Sequence, residues 1–128
     1  MISGITRTMT ATTPYKPGEI VLMPFPFTDL STVKQRPALI ISSLRFNETQ
    51  NDIIALAITT NFSETKKIDE YQIEDAERKR AGLLYPSAVK LGKIITLDKR
   101  LIRKRLGALS PKTTKLVLRK ARNLTQAL

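Results

Sequence analysis

Apolar residues fall along this chain in short blocks separated by prolines, glycines and polar stretches, a spacing that predicts strands rather than long helices. Lys16-Pro17-Gly18 reads as a turn, and Glu19 to Met23 as the first buried strand. Pro24-Phe25-Pro26-Phe27 is expected to end it as a stiff extended loop carrying two aromatic rings, because proline donates no ladder hydrogen bond. Thr28 to Gln35 continues as a polar loop. The second strand runs from Arg36 to Ser42, with Pro37 holding Arg36 out of the helical region. Asn51 and Asp52 mark a turn into Ile53 to Ile58, apolar on both faces and therefore central in the core. Tyr71 to Ile73, Ala88 to Leu91 and Ile94 to Leu97 are shorter strand candidates, with Gly82 and Gly92 as turn positions.

The end of the chain follows another period. Ser110 offers a helix cap and Pro111 the first helical position, opening a helix to about Gln126. Val117, Ala121, Leu124 and Leu128 share one side of it, while Lys112, Lys115, Arg119 and Arg122 share the other. No second-domain boundary, repeat or heptad is evident. A compact, strongly bent sheet or small barrel closed by one helix is the expected architecture, since a parallel α/β sheet needs helices between its strands. Residues 1–15 are read as a flexible tail in which Met9 offers an alternative start, and residues 16–128 as one domain.

Composition narrows the chemistry. The 128 residues match one ordinary domain, and no stretch approaches the roughly 20 apolar residues of a membrane-spanning helix. Cysteine is absent, which fits a cytoplasmic location, and so is histidine, the usual neutral-pH acid and base and the commonest metal ligand. The formal net charge is +11, and its excess lies in the second half: residues 65–128 hold 17 basic and 6 acidic side chains, against 5 and 5 in residues 1–64. Such clustering suits a polyanion, above all nucleic acid, through phosphate attraction and counterion release. Glu74, Asp75 and Glu77 match no cation-binding spacing and are read as solvated charge.

What remains for chemistry is Arg36 at the start of one core strand and Thr59 at the end of another, both beside loops at a rim. A guanidinium stays charged and donates two hydrogen bonds at once to a phosphate. A threonine hydroxyl orients a phosphate or a ribose hydroxyl. A rim arginine and a strand-end threonine are equally at home as ordinary surface.

A resemblance adds to this reading. Pro17-Gly18-Glu19-Ile20-Val21, Pro24-Phe25-Pro26-Phe27-Thr28-Asp29-Leu30, Arg36-Pro37-Ala38-Leu39-Ile40-Ile41-Ser42 and Ala57-Ile58-Thr59-Thr60-Asn61 resemble, in order, the motifs of the MazF/PemK toxin family. Ile94 to Lys99 and Leu106 to Ser110 are similar to its later strand and the approach to its terminal helix. The resemblance implies a mainly β fold with α, a small strongly bent antiparallel β-barrel of the CcdB/MazF type with a C-terminal helix. It implies a homodimer, held in check by an antitoxin with an acidic tail, that cleaves single-stranded RNA such as mRNA selectively and without metal. No cofactor is expected.

On that resemblance Arg36 takes the place of the family's catalytic arginine and Thr59 that of its threonine or serine. Phe25 and Phe27 either stack on bases or plug the loop from beneath. Lys34, Gln35, Thr60, Lys90 and Lys93 are the further RNA-binding candidates, and the Lys112, Lys115, Arg119, Arg122 stripe faces either RNA or an acidic antitoxin segment. Two departures stand out. Some members use a histidine before the arginine, and this chain has none. Some PemK-like members carry Arg and Asp where this chain has Lys90 and Gly92, so a carboxylate base is missing there. Arg36 is therefore assigned to charge stabilisation and Thr59 to positioning. The competing readings are a catalytically silent nucleic-acid-binding protein of this fold, and a CcdB-like gyrase poison. The second is disfavoured because that activity depends on a C-terminal tryptophan and the chain contains none.

Overall fold

The computed structural model describes residues 13–26, 33–63, 65 and 67–126. Six strands make one antiparallel sheet: β1 (Glu19–Pro26), β2 (Val33–Ile40), β3 (Asp52–Thr59), β4 (Glu70–Gln72), β5 (Ala88–Asp98) and β6 (Lys104–Ala108). Their order across the sheet is β4-β5-β3-β2-β1-β6. Between them lie α1 (Leu44–Thr49), α2 (Asp75–Arg80) and a 3₁₀ turn (Lys99–Leu101), and α3 (Pro111–Asn123) follows β6. Among the described residues no helix is long and apolar enough to cross a membrane.

The chain enters β1 through the predicted turn. Glu19 N–H donates to the Lys16 carbonyl, with proline and then glycine between them, and Gly18 has φ +99°. That value lies where side chains with a Cβ are strained. A Cβ there would also lie 2.5 Å from the Thr114 hydroxyl, so the first turn of α3 rests directly on this glycine. Ser110 caps α3 as expected, its hydroxyl accepting from Thr113 N–H.

β1 does not stop at Pro24. It continues through Pro26, pairing Pro24 with Gln35 and Pro26 with Val33, so β2 begins three residues before Arg36. The reason lies in which edge each amide faces. Leu22 turns its backbone toward β6, since its carbonyl accepts from Arg103 N–H. Pro24 and Pro26, at the same alternation, direct their missing N–H to that side, where the pairing with β6 has already ended at Leu22. Pro37, opposite Leu22, lies one residue beyond the β2–β3 pairs, which begin at Ala38.

β5 is one strand, not two, and Gly92 is inside it rather than at a turn. Leu56 of β3 faces Ile94, yet Ile58 faces Val89, so Ala57 alone is opposed by Lys90, Leu91, Gly92 and Lys93. This bulge reverses the strand's faces. Val89 and Leu91 join one core, whereas Ile95 and Leu97 pack against the other. Gly82, in contrast, is a turn glycine with φ +74°.

Those two cores lie on opposite faces of the sheet. Ile20, Leu39, Leu56 and Ile58 pack with Val117, Ala121 and Leu124 of α3. Val21, Met23, Phe25, Ala38, Ile40, Ile53, Ala55 and Ala57 form the second core, bordered by Tyr15, Ile95, Leu97 and Ile102. α3 covers one face, and the curl of the sheet into a half-barrel lets its own strands help to bury the other. The segment from Ile73 to Gly82 leaves β4 at one edge and meets β6 at the other, where a Cβ on Gly107 would lie 2.5 Å from the Arg80 carbonyl oxygen. Residues 1–12, most of the expected tail, lie outside the described residues, as does Leu128. Tyr15, however, is not loose: its carbonyl accepts from Asn47 Nδ2 at 2.9 Å and its ring lies under the Arg105 guanidinium.

The acidic group at the start of α2 is not simply solvated. Glu77 Oε1 accepts from Ser110 N–H at 2.7 Å, tying α2 to the start of α3. Burial pushes its carboxyl up, but hydrogen bonds from the Ser110 backbone, Ser110 and Thr113 side chains, with Arg80 nearby, outweigh this and hold it below the ordinary 4.5. A lowered carboxyl contributes stability above its unfolded value that is lost as pH falls through the folded one. Glu77→Gln is therefore expected to lower stability by about 1 kcal/mol at neutral pH. Thermal melts should show that difference closing as the pH drops below 4.5. Phe25→Ala, which empties a core position 4% exposed, is expected to cost about 3 kcal/mol in denaturant unfolding.

Candidate active site

Arg36 and Thr59 meet across neighbouring strands. The pairing of β2 with β3 sets Ala38 opposite Ala57, Leu39 opposite Leu56 and Ile40 opposite Ala55. Continued outward, that register brings Arg36 opposite Thr59. Both alternate with residues of the second core, so both project from its rim. A groove of about 330 Å³ opens there, lined by Arg36, Ala57, Ile58, Thr59, Asn61, Lys90 and Lys93. The two lysines arrive from the bulge of β5, which lies against Ala57.

Each polar side chain has a defined setting. Thr59 Oγ1 accepts from Asn61 N–H at 3.0 Å and donates to the Asn61 carbonyl at 3.3 Å, fixing the loop as it leaves β3. Lys90 Nζ donates to Glu70 Oε2 at 2.8 Å and lies 3.7 Å from Asp69 Oδ2. The hydrogen bond to Glu70 raises the Lys90 ammonium above its ordinary value, against the effect of burial. Lys90 is thus positively charged at neutral pH. Three cationic side chains, a held hydroxyl and an amide thus line one cleft, a donor-rich, positively charged set whose chemistry suits an anionic group such as a phosphodiester.

Of the sequence-predicted residues, Arg36, Thr59, Lys90 and Lys93 therefore converge. Lys34 and Gln35 are exposed on β2, outside the groove, with Lys34 on the same face as Arg36. Thr60 is exposed and does not line the groove; the neighbouring Asn61 does. Phe25 does not offer a ring to a base: it is 4% exposed and packs beside Met23 and Ala38, because the strand continues through the prolines and turns it inward. Phe27 lies outside the described residues. The helix stripe of Lys112, Lys115, Arg119 and Arg122 is fully on the surface.

Sequence reading missed Glu70. It placed a strand at Tyr71 to Ile73 and found no carboxylate in the Lys90 strand, whereas β4 begins at Glu70 and sets it directly opposite Lys90. The carboxylate comes from the adjacent strand. Only the pairing register reveals it.

Comparison with known proteins agrees with this fold. The model of the family described as PemK-like, MazF-like toxin of type II toxin-antitoxin system matches residues 16–125. Among solved structures, MazF from Deinococcus radiodurans superimposes with a TM-score of 0.70 at 19% identity, covering 89% of this chain and 98% of that one. An endoribonuclease in complex with its cognate antitoxin, from Mycobacterial species, gives 0.68 at 18% identity, with the same coverage. The Mycobacterium tuberculosis toxin MazF-mt6 gives 0.65 at 18% identity, covering 86% and 99%. A search of curated proteins finds no match. With the expected bent antiparallel sheet and terminal helix in place and the family model spanning nearly the whole domain, the chain belongs to the PemK-like, MazF-like toxins of type II toxin-antitoxin systems.

Proposed function

We propose that this chain is the toxin of a toxin-antitoxin pair and acts in the cytoplasm as a sequence-selective, metal-independent endoribonuclease on single-stranded RNA. The observation that carries the reading is the convergence of Arg36, Thr59, Lys90 and Lys93 on one groove. Endoribonuclease activity in a structural relative supports it.

In the proposed reaction the ribose 2′-oxygen attacks the adjacent phosphorus. A bond from that oxygen to phosphorus forms as its proton passes to water, the bond from phosphorus to the 5′-oxygen breaks as that oxygen takes up a proton from water, and the products are a 2′,3′-cyclic phosphate and a 5′-hydroxyl. Negative charge grows on the non-bridging oxygens, and donors already aimed at it lower the barrier without reorganising. Arg36 is the side chain best shaped for that task, being planar, half-buried and permanently charged. Thr59 orients the phosphate or the ribose, and Lys90 and Lys93 add positive potential along the backbone. The charge stabilisation is supplied by side chains, so the reaction needs no divalent cation.

A relative bound to its cognate antitoxin supports a partner of that kind here. The exposed stripe of Lys112, Lys115, Arg119 and Arg122 suits the acidic tail of such an antitoxin, and the active species is a homodimer.

Incubation with a long single-stranded RNA in EDTA, followed by mapping of the new ends, tests this reading. The wild type is expected to cut at discrete sites. Arg36→Ala is expected to lose about 10²- to 10³-fold in kcat, and Thr59→Ser to retain more activity than Thr59→Ala. Lys93→Gln should reduce the salt dependence of RNA binding by about 0.7 in log–log slope. Binding without cuts would instead establish a silent nucleic-acid-binding protein, and cutting that requires a divalent ion would remove the metal-free mechanism.

A further inference from the structure

We propose that Glu70 is a positioning residue for the RNA-cleaving groove, holding the Lys90 ammonium at the place where a substrate phosphate lodges beside Arg36. The inference rests on the ribonuclease reading above and assigns a part of its machinery to a strand that does not itself line the groove.

A lysine on a strand is ordinarily a hydrated charge on a stem of four freely rotating carbons. Lys90 is not in that state. It faces Glu70 across the β4–β5 pair, where opposite charges on one face reinforce each other. The contact is 2.8 Å, and the Glu70 side chain is only 3% exposed while that of Lys90 is 21% exposed. Asp69, 3.7 Å away and 46% exposed, is the weaker and wetter neighbour. One of the three ammonium donors is thereby fixed on a buried carboxylate, a second lies toward Asp69, and the third remains for an oxygen in the groove.

The arrangement is a poor device for stability. Glu70 Oε1 is buried and accepts no hydrogen bond among the described residues. β4 is a three-residue edge strand, so a half-satisfied carboxylate there weakens the structure relative to an apolar pair of similar volume. Its geometric effect is what distinguishes it. Lys90 is the first residue of the four that oppose Ala57, where β5 is bulged and least able to hold a long side chain through its own ladder. Glu70 restores that control from the neighbouring strand.

This role has a signature that neither a structural nor a purely electrostatic one shares. Glu70→Gln leaves a side chain of the same shape but removes the anchoring charge, and so makes the groove more positive. If Glu70 merely offset charge, RNA would bind more tightly and be cut at least as fast. If it positions Lys90, KM stays level or falls while kcat falls about tenfold to a hundredfold.

The experiment is single-turnover cutting of a fluorescent RNA by wild type, E70Q, K90Q, the E70Q/K90Q pair and R36A, with a thermal melt of each protein. The expected result is a loss of kcat in E70Q at unchanged or lower KM, with the double variant no slower than K90Q alone, since the carboxylate acts only through the lysine. An E70Q protein that cuts at the wild-type kcat, or whose defect multiplies that of K90Q, overturns the proposal. Should E70Q melt below the assay temperature, K90M is compared with the apolar pair E70M/K90M, which removes both charges together. Equal rates support the proposal, and a further loss in the pair overturns it. A wild type that cuts no RNA overturns the ribonuclease reading and this one with it. A wild type that cuts, R36A inactive, and E70Q unimpaired overturn this one alone.

Discussion

The structure turns on the mismatch between β3 and β5 at Ala57. A strand paired residue for residue would keep Val89, Leu91, Ile95 and Leu97 on one side of the sheet, leaving one of the two cores without its border. Opposing Ala57 with four residues reverses the faces of β5 midway, so the same strand packs beneath α3 at one end and closes the curled face at the other. The bulge also lies against the strand that carries Thr59, and Lys90 and Lys93 reach the groove from it. Curvature, core closure and the charge of the site have one origin.

That origin explains how an uneven sequence becomes an even site. The first half of the chain is charge-balanced and supplies the scaffold, with Arg36 and Thr59 at facing strand ends. The second half is strongly basic and contributes its lysines to the same groove. Two carboxylates, Glu19 buried and Glu77 half-buried, tie parts of the fold in place. Glu19 accepts from Arg105 at 2.8 Å and from the Lys16 amide at 2.6 Å, while Glu77 binds the amide of Ser110. Acidic residues are few in this protein, and those in the fold's interior are placed to hold a cation or a helix end.

Much of this was legible in the sequence wherever the signal was local. Ile53 to Ile58, apolar on both faces, reads as a central strand and is one; Ser110-Pro111 reads as a helix start and is one. Arg36 and Thr59 were visible as strand-end residues, and the family motifs made them a pair. What escaped depends on partners. α1 and α2 have six residues each and no apolar period; α1 is capped by the Ser43 hydroxyl, and α2 is tied to the start of α3 through Glu77. β6 is charged and sits at an edge, without the alternation of an interior strand. Gly92 looked like a turn because its strand neighbours could not be known. Glu70 looked like surface, as glutamate usually is, until the register put it against Lys90.

The alternating prolines have a consequence of their own. An open sheet has two free edges, and a free edge is a template on which another chain can add a strand, with aggregation as the common result. Past Leu22, β1 pairs with no strand on its outer side among the described residues. At that stretch Pro24 and Pro26 remove successive amide donors from the same side, so an incoming strand finds acceptors without the donors that must alternate with them. The edge is thereby made unfit for the addition of another strand close to Arg36, which pairs with Met23 just before the first of these prolines. The strand end beside the basic groove gains this protection from backbone chemistry alone, without added negative charge that would offset the groove's lysines and arginine.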